Sequence, residues 1–445
     1  MKTILILGAG LSTSSLIRYL LNNSSKYNWK LRIVDQNKQT VEDKINGHEN
    51  ASALNFDATK SALRKEEIKN ADIVISMLPA RFHVEVAKDC IDLKTNLITP
   101  SYISKEMKSL DQRAKDAGIV IMNEIGVDPG LDHMSAMSVI DKIKSKGGVV
   151  SSFKSFCGGL IAPESDNNPW NYKFTWNPRN VVLAGQGGAA CFKRNGQYKY
   201  IPYNRLFGRL DYISVEGYGD FVGYANRDSL SYREIYGLAK IPTIFRGTLR
   251  RPGFCKAWDI FIELGMTDDN YKLVNTDGLT VRKFVNSFLP YDKEKSVENK
   301  FKDFLRTDRM ENFDRFKWLG LFEDKPILNA ENNSPAQVLQ KILVEKLSLT
   351  SGDKDMLVMV HQFEYQLDGK EYGISSNMVN IGEDNIYTSM SNTVGLPTAI
   401  CTKMILENKI DTLGVTLPVS KDIYDPILKE LEEFNIRFIE NEFNI

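Results

Sequence analysis

The sequence predicts an α/β protein in which a doubly wound, mostly parallel sheet is followed by a second, mixed α/β region. Three observations lead there. Residues 1–125 alternate short apolar runs with helix-like stretches, the pattern of βαβ units. A Gly-x-Gly turn follows the first apolar run and opens a helical pattern. After Gly126 the texture changes to loops rich in Gly, Tyr, Asn and Arg, with few clean strands. A chain of 445 residues also exceeds one ordinary core, so two or three domains are expected.

The elements follow in order. Ile4–Leu7 reads as a buried strand rather than the core of a secretory signal, because Gly8 and Gly10 interrupt it and Arg18 follows soon after. Thr13–Asn22 is a helix, Leu31–Val34 a strand and Ala62–Asn70 a helix. Ile73–Met77, Leu97–Thr99 and Val120–Met122 are strands, separated by helical segments Glu85–Leu93 and Lys105–Ala117. Right-handed crossovers make such a sheet doubly wound. Val150–Phe156 and Thr243–Arg246 are strands of the second region, and Lys293–Leu305 and Ser334–Lys346 are helices within a charged, helical stretch. Met356–Gln366 and Tyr372–Asn380 alternate apolar and polar residues around Asp368-Gly369, which predicts an antiparallel hairpin. Met390–Leu406 is a helix containing Pro397; Tyr424–Phe434 is another helix, and Ile436–Ile439 a last strand.

Composition excludes several classes. Lys+Arg and Asp+Glu both number 57, giving a formal net charge of zero. That removes the basic footprint of a nucleic-acid or membrane-surface binder. No stretch supplies the roughly 18 apolar residues of a bilayer span. Five scattered cysteines form no CxxC pair, which fits reduced thiols in the cytoplasm, with no metal site.

Gly8-Ala9-Gly10-Leu11-Ser12-Thr13 carries the cofactor chemistry. The first glycine permits a tight turn, the second lets the backbone approach a pyrophosphate, and the helix start presents N–H groups to it. Thr13 stands where the usual fingerprint has a third glycine. Asp35 ends the second strand, where an acidic side chain accepts hydrogen bonds from the adenosine ribose and repels a 2′-phosphate. It favours NAD, with NADP possible because Arg32 and Lys38 lie nearby in sequence; its other reading is a turn cap. Leu78-Pro79 closes a later strand beside the expected nicotinamide ribose. His83, just beyond, reads first as a capping or packing residue.

Dense polar strings then accumulate: Thr99-Pro100-Ser101-Tyr102-Ile103-Ser104, Asn123-Glu124-Ile125-Gly126-Val127-Asp128-Pro129-Gly130-Leu131-Asp132-His133, and Cys157-Gly158-Gly159-Leu160. Tyr172-Lys173-Phe174-Thr175-Trp176, Asn226-Arg227-Asp228-Ser229, Arg246-Gly247-Thr248-Leu249-Arg250 and Thr393-Val394-Gly395-Leu396-Pro397 complete the set. In this order the set resembles the glutamate-forming saccharopine dehydrogenases (saccharopine reductases).

The resemblance implies a variant Rossmann doubly wound domain, a mixed α/β substrate domain and a helical insertion. In these terms residues 1–125 plus about 390–412 form the dinucleotide domain, 126–255 plus 351–389 the substrate domain and 256–350 the helical subdomain, with 413–445 unplaced. It also implies oxidation of the secondary amine of saccharopine by a nicotinamide cofactor. Imine hydrolysis then gives glutamate and 2-aminoadipate 6-semialdehyde, or the reverse. Fungal members of the family use NADP and carry an arginine after the second strand, where this chain has Val34-Asp35-Gln36. The dehydrogenase half of the animal bifunctional enzyme uses NAD and is the nearer analogue there. A homodimer is implied as well.

By position in the family strings, Gly8, Gly10, Leu11, Ser12, Asp35, Leu78, Pro79, Ser101, Val127, Asp128, Pro129 and Asn177 are assigned to the cofactor. Ser101, Tyr102, Asp128, Arg227, Thr248, Leu249 and Arg250 are assigned to the substrate. Saccharopine carries three carboxylates, and guanidinium groups are suited to pair with them. Arg246 is a weaker candidate, and Arg251 reads equally as a surface charge. Asp128, Cys157 and Tyr102 are the candidates for proton transfer, with none singled out as the base. The other reading of Asp128 is plain Asp-Pro-Gly turn formation, Cys157 reads equally as a small buried packing residue, and Asp132 and His133 read as helix caps. The turn at Gly126–Gly130 also marks the exit from the first domain, and clefts at such exits commonly bind ligands. Two rivals stand beside this reading: a carboxynorspermidine or carboxyspermidine dehydrogenase, and a non-catalytic NAD-binding sensor.

Overall fold

The computed structural model describes residues 1–445. The chain divides into two compact units, Met1–Ser151 with Glu234–Ala239 and Met359–Ile445, and Ser152–Arg233 with Lys240–Val358. Its strands run β1 Lys2–Leu7, β2 Trp29–Asp35, β3 Ala51–Asn55, β4 Ile73–Ser76, β5 Asn96–Ile98, β6 Val120–Met122, β7 Val149–Ile161 and β8 Ala190–Arg194. They continue as β9 Gln197–Ile201, β10 Leu210–Val215, β11 Gly219–Ala225, β12 Thr243–Arg250, β13 Asp355–Leu367, β14 Lys370–Ile381, β15 Gly414–Thr416 and β16 Ile439–Asn444.

The first unit is built on a parallel sheet of order β15-β6-β5-β4-β1-β2-β3. Ile4, Leu5, Ile6 and Leu7 of β1 are fully buried, as a strand covered by helices on both faces requires. The chain runs outward from β1 to β3 and then returns on the other side of β1 at β4. That reversal opens a crevice beyond the carboxyl ends of β1 and β4, where such sheets bind ligands. The helix Ser389–Leu406 packs on the helix Ser14–Tyr27 that follows the glycine turn. Ser15 donates its N–H to Ser391 Oγ at 2.9 Å and its hydroxyl to Asn392 Oδ1 at 2.6 Å. A Cβ at Gly395 would lie 2.7 Å from Leu16 N, so the crossing is close enough to require glycine. β14 pairs antiparallel with β16, and Asp368 and Gly369 take the positive φ of a tight hairpin turn.

In the second unit β12 runs parallel to β7 and antiparallel to β11, which pairs with β10. β8 and β9 form a hairpin whose first strand meets β12. Its helices include Phe254–Glu263, Val281–Asn286, Val297–Leu305 and Pro335–Leu347. Trp170, 1% exposed, stacks on Phe261 and meets Phe254, Trp258 and Phe316 edge-on, so aromatic packing anchors this helical part.

Several expected boundaries move. The helix read as Lys293–Leu305 starts at Val297, because Ser296 caps it by accepting from Asn299 N. The segment Lys105–Ala117 breaks into Lys105–Lys108 and Asp111–Ala117. The last strand lies at Ile439–Asn444 rather than Ile436–Ile439. It is an exposed edge of Glu and Asn, a composition without an apolar run. β3 and the helix Lys38–Ile45, absent from the expectation, complete the first half of the parallel sheet.

Candidate active site

At the carboxyl end of β1, Gly8 takes a φ of 98°, and a Cβ there would crowd Met77 O at 3.1 Å. Gly10 is the opposite case: a Cβ would point into open space. No side chain caps the first turn, Leu11–Thr13. An open approach to a glycine backbone beside an uncapped helix start is the cradle a pyrophosphate needs, so the residues present fit a dinucleotide. Leu11 is exposed and Ser12 half-buried. Asp35 Oδ2 accepts the Ala9 N–H at 2.8 Å, and Oδ1 accepts the Asn37 N–H at 3.0 Å. The carboxylate therefore clips the glycine turn to the end of β2 and also makes the local turn bond of the alternative reading.

Lys44 is a part of this site that sequence reasoning missed. Its ammonium donates to Gly10 O at 2.6 Å and Thr13 Oγ1 at 2.9 Å. Burial pushes it down to about 8, opposed by the charge of Asp35. Arg32 instead pairs through two bonds with Glu67, and Lys38 pairs with Glu42.

At the ends of β4 and β5 a second group assembles. Leu78 is half-buried, and Pro79 is exposed, ahead of the turn Ala80–Phe82. His83 begins the helix His83–Leu93 and is 3% exposed. Its ring touches Ser76, Thr99 and Ser101, and burial alone pushes it down to about 4. Next to Ser101, Tyr102 donates its phenolic hydroxyl to Asp128 Oδ1 at 2.8 Å. Two of the three residues expected to move protons are thus brought together.

What holds this pair is a buried network centred on Glu124, 2% exposed. Its N–H donates to Ser101 O at 3.2 Å, and its Oε1 accepts from Ile103 N at 2.8 Å, so Tyr102 is gripped on both sides. Glu124 Oε2 lies 2.7 Å from His133 Nε2, and His133 Nδ1 lies 2.6 Å from Tyr236 Oη. His133 is therefore no helix cap: it is fully buried between Glu124 and Tyr236. Asp132 does serve the helix start, accepting from Gly130 N and His133 N. Val127 and Pro129 are buried beside half-buried Asp128. Gly130 has a φ of 143°, and a Cβ there would sit 2.2 Å from Gly126 O, so the turn admits only glycine.

The remaining expected residues lie in the second unit. Tyr224, Thr248 and Cys157 stand in register across β11, β12 and β7. Cys157 is 7% exposed. Strand alternation puts Arg246, Thr248 and Arg250 on one face of β12 and Leu249 on the other; Leu249 is fully buried. Arg250 is 4% exposed. Its guanidinium lies 5.1 Å from the Tyr172 ring centre, 5.8 Å from Tyr224 and 5.4 Å from Phe254. It donates to Leu249 O at 2.8 Å, while Nε is buried without a hydrogen-bond partner. Burial is the largest single influence and opposes its charge, while Tyr224, Tyr172, Cys255 and Cys157 act the other way, and the net direction of its pKa is up. Buried charges are normally paired, so a guanidinium with a vacant donor among aromatic rings is suited to an anionic ligand.

Arg227 differs. It is exposed, at a φ of 22°. Arg251 is half-buried and donates to Tyr218 O. Asn177 is exposed and caps the helix Pro178–Val182 through Arg179 N, a structural use that its sequence position did not reveal.

The family model described as the saccharopine dehydrogenase NADP binding domain matches residues 4–122, and that of the saccharopine dehydrogenase C-terminal domain matches residues 126–436. The chain belongs to the saccharopine dehydrogenase family. A saccharopine dehydrogenase [NADP(+), L-glutamate-forming] of Pyricularia oryzae is 32% identical over 97% of each chain. The mitochondrial alpha-aminoadipic semialdehyde synthase of Rattus norvegicus is 35% identical over 98% of this chain, which spans 47% of that longer protein. Among solved structures, the apo saccharopine dehydrogenase (L-Glu forming) of Saccharomyces cerevisiae covers 100% of both chains with 31% identity and a TM-score of 0.88. This member of the saccharopine dehydrogenase family accordingly has a parallel Rossmann-like sheet and a mixed sheet with helices, as its sequence predicts. No helix is long and apolar enough to cross a membrane.

Proposed function

We propose that the chain oxidises the secondary amine of saccharopine with a nicotinamide dinucleotide and hydrolyses the imine to L-glutamate and 2-aminoadipate 6-semialdehyde, or runs the reverse condensation. The observation that carries the substrate assignment is Arg250, a buried guanidinium with a vacant donor, suited to a carboxylate. Thr248 lies on the same face, and Arg227 offers an exposed second cation.

When bound, the dinucleotide supplies the hydride acceptor. Asp128, held by the Tyr102 hydroxyl, accepts a proton from the substrate ammonium and releases it to solvent, freeing the nitrogen lone pair that expels hydride from the adjacent carbon. The same carboxylate then takes a proton from the water that adds to the iminium carbon. Return of that proton to nitrogen lets the carbon–nitrogen bond break as Asp128 takes the carbinolamine hydroxyl proton and passes it to the departing amine, leaving glutamate and the aldehyde. Cys157, beside Thr248, is the third polar group assigned to this proton traffic. Saccharopine with NAD or NADP is expected to produce reduced-nicotinamide absorbance, and a flat trace with both would refute the reading.

NAD is the preferred cofactor in this proposal. Asp35 is assigned to the ribose by its position at the end of β2, and of the nearby cations Arg32 and Lys38 are paired with Glu67 and Glu42 while Lys44 is held on Gly10 O and Thr13 Oγ1. Asp35→Ala is expected to weaken both dinucleotides, because the Ala9 N–H loses its acceptor, and to shift the NAD-to-NADP ratio of kcat/KM by about tenfold toward NADP. An unchanged ratio would remove Asp35 from the ribose.

Five cysteines without a disulfide support a reducing compartment, the cytoplasm. A homodimer is proposed from the family resemblance; a monomer mass in light scattering would exclude it.

A further inference from the structure

Three side chains at the ends of β4 and β5 converge on one imidazole, that of His83. Ser76 Oγ lies 2.9 Å from His83 Nδ1, while Thr99 Oγ1 at 3.0 Å and Ser101 Oγ at 2.8 Å both lie against His83 Nε2. The ring is buried, and its low pKa keeps it neutral at working pH. One nitrogen therefore carries a proton and the other a lone pair.

The two nitrogens are not equivalent in their surroundings. A lone pair on Nε2 receives one hydroxyl proton, and the second oxygen would then face it lone pair to lone pair. A proton on Nε2 is shared by both oxygens as a three-centre bond. Nδ1 then accepts from Ser76. In this arrangement the oxygens of Thr99 and Ser101 both act as acceptors toward His83. Thr99 Oγ1 also accepts the Ser101 N–H at 3.4 Å. Ser101, the half-buried member of the group, is left with its own hydroxyl proton directed away from the ring.

We propose that His83 is a positioning residue that fixes Ser101 as a hydrogen-bond donor toward an sp² oxygen of the bound ligand, either a carboxylate or a carboxamide. The inference deepens the functional reading above and rests on it for the ligand's identity. It requires Nε2–H at this position, which separates it from a role in packing.

The test is a cycle of four proteins, wild type, His83→Leu, Ser101→Ala and the double variant, with His83→Gln as the conservative control because its amide supplies an N–H near the position of Nε2. Saccharopine kcat and KM are measured, together with dinucleotide binding by fluorescence titration and glutamate binding in the presence of dinucleotide. His83→Leu is expected to lower kcat/KM at least tenfold when Ser101 is present and less than twofold when it is alanine. His83→Gln is expected to recover to within about threefold of wild type. Weakened dinucleotide binding would identify a carboxamide acceptor; weakened glutamate binding or a raised saccharopine KM would identify a carboxylate. An equal loss in both backgrounds, or a glutamine no better than leucine, overturns the proposal. If wild type does not oxidise saccharopine, the functional reading fails. The same cycle read on the two binding constants still decides the inference: non-additive losses support it, and additive or absent losses overturn it.

Discussion

Arg250→Met is expected to cut kcat/KM for saccharopine by about two to three orders of magnitude while leaving the melting temperature unchanged or higher. The two halves have separate causes. A substrate carboxylate deprived of its buried guanidinium loses about 2–5 kcal/mol, much of it the cost of an unpaired charge. The free protein carries the reverse burden. Its guanidinium is 4% exposed, has one bond to Leu249 O and leaves Nε without a partner. Cation–π contact with Tyr172, Tyr224 and Phe254 offsets part of the desolvation, at about 0.5–2 kcal/mol. Methionine fills a similar volume without that desolvation penalty, and such replacements of buried charge are often neutral or stabilising by about 1–4 kcal/mol. Strain of this kind is common where a site is shaped for its ligand rather than for the empty fold. Steady-state kinetics and thermal unfolding on the same preparation check both halves. A melting temperature that falls together with activity would make Arg250 a structural residue.

Arg250 also shows where sequence reading stops. Arg227 and Arg250 are both assigned to the substrate by their place in the polar strings, yet one is exposed and the other buried. Burial depends on Tyr172 and Tyr224, which come from other parts of the chain, together with Phe254 just beyond the strand. The parallel sheet was legible because Ile4–Leu7, Ile73–Met77 and Val120–Met122 are apolar runs bounded by turn residues. The glycine turn was legible because backbone geometry leaves few substitutes for Gly8. By contrast, Glu124, His133 and Tyr236 meet only in the folded chain, and nothing in a sequence window distinguishes a buried acid from a surface one. Lys44 was invisible for the same reason: it lies on a short helix in which half the residues are charged, and its contacts with Gly10 and Thr13 exist only once β2 lies beside β1. Polar β16 lacks the periodicity that marked the other strands, because both its faces are exposed.

Asp128→Asn is expected to lower kcat by about 10²- to 10⁴-fold, the range for loss of a general base, with saccharopine KM changed much less. The substitution keeps the side chain's shape and an oxygen that can accept from the Tyr102 hydroxyl, so it removes charge and basicity with little else. Tyr102→Phe does the complementary experiment: it deletes the donor at 2.8 Å and leaves the carboxylate. Because Tyr102 is 41% exposed, water can replace its bond to Asp128, and a loss of about tenfold is expected. If Tyr102 acts by orienting Asp128, its removal has little left to disturb once Asp128 is asparagine, and the double variant is expected to resemble Asp128→Asn alone. Independent, multiplicative losses would instead give the tyrosine its own proton-transfer step. An Asp128→Asn protein within threefold of wild type would leave the chemistry to water and substrate. The Glu124 network would then serve to shape the pocket wall rather than to hold a base.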